Sequence, residues 1–421
     1  MSEVQILSPR FYPEHDSTLC DGLRAMSYPK IHLKSNRKAS VANRHPWIFS
    51  GALQKSDTLI ENGDIVSVCD HEGRVIATGA YSKQSMIAVR VFEFEDIEIS
   101  RNWLTQRIQQ AALRRQLLGY GPGTDTTGYR VVFGESDNLP GLVVDRYADM
   151  LVIQIATAGM EKLRDDIIAA LTDIFKPSCI FERSDLPNRR EEGLELKTGL
   201  CVGQMAEAVE FLEHGITYMA DIAAGQKTGF YLDQKDLRRE IRRLAYGRRA
   251  LDLFSYTGAC GIAALAGGGT SAHFVDSSES ALALCRRQAV RNKIDISSLT
   301  CDESDVFQWL SVRSKPEYDL VMLDPPALIK SKRHFEAGSK AYHFLNRAAL
   351  RLVNDGGLFA TSSCSAFFPE AEMAAMLHRA AEQIDVELSL LKTVRQSPDH
   401  ALSLTFPEAA YLKSFICQVR R

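Results

Sequence analysis

Hydrophobic positions recur at two different intervals along the chain, and the interval changes near residue 205. From Ile31 to about Phe94 the runs are short and alternating. Asp64–Cys69, Val75–Thr78 and Met86–Phe92 are examples, with Asp70-His-Glu-Gly73 as a turn between the first two. That pattern predicts a small β domain. A helix is predicted from Trp103 to about Leu118, where Leu104, Ile108, Ala111, Ala112 and Leu118 fall near helical spacing. After a glycine-rich linker, strands are predicted at Tyr129–Phe133, Gly141–Arg146, Met150–Ile155 and Cys179–Glu182. A helix over Glu161–Phe175 completes an α+β block ending near residue 200. Beyond that point strands alternate with helices. Ala250–Phe254, Ser271–Asp276, Tyr318–Asp324 and Gly357–Ser362 read as strands, and Ser278–Asn292 as a helix. Alternation of this kind implies a mainly parallel, Rossmann-like α/β sheet with helices on both faces. The expected division is an extension over 1–27, a β domain over 28–97, a helix and α+β domain over 98–204, and an α/β domain over 205–421.

Composition narrows the class. The chain has 421 residues, enough for roughly two or three domains. It is 45% hydrophobic and 24% charged with a net charge of −3, so no global basic balance points to nucleic acid, although a local patch can hide within it. Nine scattered cysteines without a CxxC pair suggest free thiols in a reducing cytoplasm, and no metal is expected. No apolar run approaches the length of a membrane span, and the N-terminus carries no signal-peptide pattern.

Candidate chemistry gathers at the strand ends of the α/β block, where such sheets bind ligands. Asp252 lies in the first strand, Asp276 closes the second and Asp324 the third, while Asp305 ends a further connection. Gly258 and Gly261 let the backbone approach a ligand. Asp276 stands at roughly the distance from Asp252 where a ribose-binding acid belongs. A strict GxGxxG and a phosphate loop are both absent, so a nucleoside cofactor without phosphates, S-adenosylmethionine, fits better than a dinucleotide. Each acid taken alone is also an ordinary helix cap. Asp324-Pro325-Pro326 is more specific, because two prolines remove two donors and stiffen the strand tip. Gly225-Gln-Lys-Thr-Gly-Phe-Tyr-Leu-Asp233-Gln-Lys-Asp-Leu-Arg238 reads either as a capped amphipathic helix or as a lid over the cofactor. Finally, Cys364 stands among Ser362, Ser363 and Ser365, a small polar setting that suits a reactive thiol better than a packed one.

In order along the chain, KTGFYLDQ, LDLFSYTG, HFVDSS, DVF, LDPP and SSCS resemble the RlmI-type family of 23S ribosomal RNA cytosine-5 methyltransferases. Upstream, Arg44-His-Pro-Trp-Ile-Phe-Ser-Gly51 resembles the entry to that family's PUA domain, and Gly134–Leu142 its central domain. The likeness runs from about residue 28 to the end and leaves residues 1–27 without a role. It implies S-adenosylmethionine lined by Asp252, Phe254, Tyr256 and Gly258, with Asp276 on the ribose and Asp305 on the adenine amine. Thr228 and Tyr231 would reach the methionine part, with Asp233 nearby. Asp324 would face a cytosine and Cys364 would be the nucleophile. Ala327 follows the prolines, so Cys364 would act without a partner thiol.

The resemblance also implies ribosomal RNA as partner, held by Lys34, Arg37, Lys38 and Arg44 of the N-terminal domain; these cations also suit a plain solvated face. Arg238, Arg239, Arg242, Arg243, Arg248 and Arg249 form a second basic stretch, on an RNA path or merely exposed. No membrane partner is expected, and a homodimer stays open. Guanine-N7 methylation, which needs no thiol, is the alternative within the class. A nicotinamide (NAD) oxidoreductase and a non-catalytic RNA-binding module are alternatives outside it.

Overall fold

The computed structural model describes residues 28–35, 41, 43–55, 59–205 and 208–421. The arm over 1–27, together with Arg37 and Lys38, lies outside the described residues. The alternating N-terminal runs form a five-stranded sheet from β1 (Lys30–His32), β2 (Trp47–Phe49), β3 (Ile65–Cys69), β4 (Val75–Tyr81) and β5 (Ile87–Glu93), in the order β1-β3-β4-β5-β2. Its interior is aliphatic: Leu33, Val66, Val68, Ala77 and Val89 are all fully buried.

The helix Arg101–Leu117 follows, capped by the Ser100 side chain, which accepts from the Trp103 amide. It covers a second five-stranded sheet of β6 (Gly128–Phe133), β7 (Leu142–Tyr147), β8 (Met150–Ile155), β9 (Cys179–Ser184) and β10 (Lys197–Gly203), in the order β10-β9-β8-β7-β6. The single helix expected over 161–175 is two, Ala158–Lys162 and Arg164–Phe175, separated at Leu163, whose ψ of 7° leaves the helical range. A hairpin of β11 (Val209–Glu213) and β12 (Ile216–Ala220) then leads into the α/β block.

That block is a seven-stranded sheet of β13 (Arg249–Leu253), β14 (Ser271–Asp276), β15 (Leu299–Glu303), β16 (Tyr318–Leu323), β17 (Val353–Ser363), β18 (Glu387–Arg395) and β19 (Lys413–Arg420). The order is β15-β14-β13-β16-β17-β19-β18. The first five are parallel, and β19 and β18 close the edge antiparallel. Helices pack on both faces over two apolar clusters. Register decides what the tips share. Leu253 pairs with Val275 and with Leu323, and Leu323 pairs with Thr361. The residues just past these positions, from Phe254 to Cys364, therefore come out at one edge of the sheet. The return strand β19 sets Lys413 against Ser363, next to Cys364.

Two expectations need correcting. Arg238 is neither on an open RNA path nor exposed: it is buried, and its guanidinium makes two 2.6 Å bonds to Glu213 on β11. A cation this deep is retained only with its counter-charge. The strand foreseen at Gly357–Ser362 begins earlier, at Val353, through an irregular register opposite Tyr318 and Leu320.

Candidate active site

The turn after β13 is where backbone conformation first departs from the ordinary. Phe254 and Tyr256 both have positive φ, 59° and 48°, and Gly258 follows at 75°. Two bulky residues in the left-handed region store strain that a surrounding structure must hold in place. Gly258 has a further reason to be glycine: a Cβ there would lie 2.3 Å from the Cys285 Sγ beneath it. The turn is stapled by two acids. Asp252 accepts from the Gly261 amide at 2.8 Å. Asp276 accepts from the Tyr256 amide at 2.8 Å and from the Ser278 amide at 3.0 Å. Burial pushes the Asp252 carboxyl up to about 8, and the charges of Asp324 and Asp276 add to that rise. Asp305 caps the short helix Val306–Ser311 through the Gln308 amide and is exposed at the tip next along. Phe254 packs edge-on to Phe307 with ring centroids 6.2 Å apart.

The segment 225–234 folds over this turn. Its Gln226 amide donates to the Tyr256 hydroxyl at 3.0 Å, and the Tyr231 ring stands edge-on to Tyr256. The Thr228 hydroxyl is already spent. It donates to Asp145 at 2.6 Å and bonds Tyr147 at 2.9 Å, both in the central domain. Asp233 is buried. Burial works against its charge, but Lys227, at 2.7 Å, and the Tyr411 hydroxyl, at 2.6 Å, hold it below the usual carboxylate range.

Asp324 ends β16 half-buried, with Gln234 Nε2 donating to it at 2.9 Å. Burial, and then the negative charge of Asp233, push it up to about 6. Beyond β17, burial and the Asp324 charge raise the Cys364 thiol to about 11, with Lys227 opposing. The hydroxyls of the three serines around it are bonded elsewhere. Ser362 bonds Ser414 at 2.7 Å, while Ser363 and Ser365 each bond the Tyr342 hydroxyl at 3.0 Å. They fix the loop rather than solvate the sulfur. Lys413 is buried, donates to the Ser365 carbonyl at 2.6 Å, and is lowered to about 8, chiefly by burial.

Sequence reasoning missed Lys227, Gln234, Tyr411 and Lys413 as parts of this site. The first two sit inside the KTGFYLDQ stretch and were within reach of it. Tyr411 and Lys413 arrive only through the antiparallel return of β19. On the N-terminal domain Lys34 donates to the Gly51 carbonyl at 2.9 Å, and Arg44 is exposed with φ 53°.

Among the described residues no helix is long and apolar enough to cross a membrane. Four buried polar atoms at the tips and in the covering segment lack a hydrogen-bond partner: Asp233 Oδ1, Gln234 Oε1, Ser255 Oγ and Thr257 Oγ1. Buried polar groups are rarely left so. Asp233 Oδ1 and Gln234 Oε1 are acceptors that fit the ammonium of S-adenosylmethionine, and the Ser255 and Thr257 hydroxyls flank the Tyr256 amide held by Asp276, where a ribose fits.

A parallel sheet with a strained turn, acids at its tips and no phosphate cradle defines an S-adenosylmethionine-dependent methyltransferase. The family model described in those words matches residues 195–400, and a model of a PUA-like domain matches residues 31–94. A methyltransferase crystal structure solved with SAH shares the fold, with a TM-score of 0.80 at 23% identity over 93% of this chain and 100% of that one. Ribosomal RNA large subunit methyltransferase I of Serratia proteamaculans is 38% identical across 93% of this chain and 99% of its own length. Its namesake in Escherichia coli O157:H7 is 36% identical over the same shares. The chain belongs to the ribosomal RNA large subunit methyltransferase I family, and its cofactor is S-adenosylmethionine.

Proposed function

We propose that this protein methylates C5 of a cytosine in large-subunit (23S) ribosomal RNA, with Cys364 as nucleophile. The relatives' names supply the ribosomal RNA. The observation that carries the rest is a half-buried thiol and a carboxyl of raised pKa at adjacent strand tips. Guanine N7 is already nucleophilic and has no use for that pair, and a dinucleotide would want the phosphate loop this turn lacks.

C5 of cytosine needs activation before it can accept a methyl group. Addition of the Cys364 thiolate to C6 forms an S–C6 bond and moves the C5–C6 π pair onto C5, leaving an enamine. Asp324, protonated, donates to N3 and steadies the charge that develops on the ring. Bound S-adenosylmethionine supplies an electrophilic methyl on its sulfonium. Once C5 has taken that methyl, a base removes the C5 proton, the C–H pair re-forms the C5–C6 double bond, and the S–C6 bond breaks with its pair leaving on the thiolate.

The electrostatics couple these steps. Burial first, and then the charge of Asp324, hold the thiol proton on Cys364, with Lys227 opposing. A protonated Asp324 carries no such charge, so the form that donates to N3 is also the form that opposes the thiolate less. Lys413 is the cation at the other side of the loop. We assign the cofactor contacts to Asp252, Phe254, Tyr256, Gly258, Asp276, Asp305 and Asp324, with Tyr231, Asp233 and the Thr228 backbone on the methionine side. Residues 28–97 are the RNA handle, through Lys34 and Arg44 with Arg37 and Lys38, on a chain divided as 1–27, 28–97, 98–204 and 205–421.

The test is Cys364→Ala. It should bind S-adenosylmethionine normally and form no 5-methylcytosine in large-subunit rRNA. Wild type should form a denaturant-stable adduct with RNA carrying 5-fluorocytosine at the target, since fluorine cannot leave as a proton does. Substantial 5-methylcytosine from the alanine variant would refute the mechanism.

A further inference from the structure

A second cavity, of about 310 Å³, lies between the central domain and the segment joining β18 to β19. Phe133, Phe406 and Tyr411 give it aromatic walls, and Ser136, Gln154 and Asn188 give it polar ones. Among the described residues no lysine or arginine lines it, and Glu135 and Glu408 do, so a phosphate is not what it would hold. Ser136 lines the space and is 8% exposed, and its hydroxyl lies buried behind that wall with no hydrogen-bond partner among the described residues. The Gln154 amide nitrogen is taken by the Arg183 carbonyl at 3.0 Å, which leaves the amide oxygen as an acceptor. Flat apolar walls with an unpaired hydroxyl and amides between them suit a neutral heteroaromatic ring with a donor and acceptor edge.

Location says where such a ring would come from. Tyr411 carries its hydroxyl from this wall to Asp233, beside Asp324. On the other side Phe406 meets Trp47 of the N-terminal domain, with ring centroids 4.8 Å apart, and Glu408 meets His45 at 3.3 Å. The cavity therefore stands between the domain assigned to hold RNA and the site assigned to modify it.

We propose that this cavity takes a second nucleobase of the substrate RNA, splayed out beside the target cytosine and stacked between Phe406 and Tyr411. The proposal rests on the RNA reading given above. An enzyme that acts on a base must take it out of the stack, and a neighbouring base held in a pocket keeps the strand open while the target is engaged.

The experiment starts with wild-type protein and large-subunit rRNA, and the methylated cytosine is mapped. No methylation at all would overturn the reading itself, and this proposal with it. With the target known, Ala409→Leu fills the cavity wall. It should keep S-adenosylmethionine affinity by calorimetry and lower kcat/KM for RNA at least tenfold, mainly through KM. Unchanged kcat/KM in the folded variant overturns the proposal. Should that variant fail to fold, Ser136→Cys decides. Alkylation of the introduced thiol by N-ethylmaleimide, read by peptide mass spectrometry, should fall at least tenfold with target RNA. It should return when one nucleotide flanking the target is abasic. Protection that is absent, or indifferent to every abasic position, overturns the proposal. Protection by free nucleosides but not by RNA does so too, and assigns the cavity to a free nucleoside.

Discussion

Two segments border the sheet edge that carries Cys364, and they were written into the chain in opposite ways. The turn Phe254–Gly258 is local. Its strain, its glycine and the acids that staple it lie within a few dozen residues, and each is a residue type chosen for the chemistry at that spot. The segment 396–413 carries no pattern of its own. It is pinned by partners from everywhere else: Asp399 accepts from Lys235 at 2.9 Å and from the Arg130 amide at 2.9 Å, while the Asp399 carbonyl accepts from Arg115 at 2.6 Å. The lesson is that a cofactor turn can be self-contained, whereas the wall that presents Tyr411 and Lys413 exists only as the product of a completed fold.

Breaking the second segment should therefore cost the most. Lys235 and Asp399 are both fully buried; burial works against the Asp399 charge, but Lys235, His400 and Ser397 hold its carboxyl well below the usual carboxylate range. Lys235→Met strands the carboxylate, and loss of one partner of a buried pair costs about 3–5 kcal/mol. Urea unfolding should show that loss. A drop below about 1 kcal/mol would mean that the segment holds by other means.

The local turn should break differently, in function before stability. Asp276→Ala removes the acid that holds the Tyr256 amide and is assigned to the ribose. Two charge-assisted hydrogen bonds are at stake, about 2–4 kcal/mol, or roughly 30-fold or more in S-adenosylmethionine affinity by calorimetry. Unchanged affinity would remove Asp276 from the cofactor site.

The same contrast sets what the sequence could tell. The strands whose tips bear Asp252, Asp276 and Asp324 were readable from continuous apolar runs ending on an acid, and Asp324-Pro-Pro marked its own tip. The strands β18 and β19 were not foreseen. β18 is largely exposed, an edge strand without the buried run that betrays its neighbours. Without β19 there was no way to bring Lys413 to Cys364. The basic run at 238–249 misled in the same manner. Its charges are alike in sequence, yet Glu213 draws Arg238 inside while Arg239 and Arg243 stay in solvent, a distinction set by the hairpin β11–β12. The sequence marks the serines beside Cys364 as a small polar setting but not their partners, Tyr342 and Ser414, which a helix and the return strand β19 bring to them.

The smallest effect expected is also a test of how much stability the local turn gives up for its chemistry. Asp252 is buried with its carboxyl raised to about 8, from an ordinary value near 3.8 in the unfolded chain. Between those values the folded state binds more protons than the unfolded one. Stability without cofactor therefore falls as pH rises through that window, and the cost is fully present above about 8. Asp252→Asn removes the charge and keeps an acceptor for the Gly261 amide. The variant should unfold at a higher temperature than wild type at pH 8, with the difference shrinking toward zero at pH 4. A gain of equal size at both pH values would mean that packing, and not a buried charge, sets the difference. A loss at pH 8 would mean that the carboxylate is held charged by the turn, and that the strain at Phe254 and Tyr256 is supported by that charge.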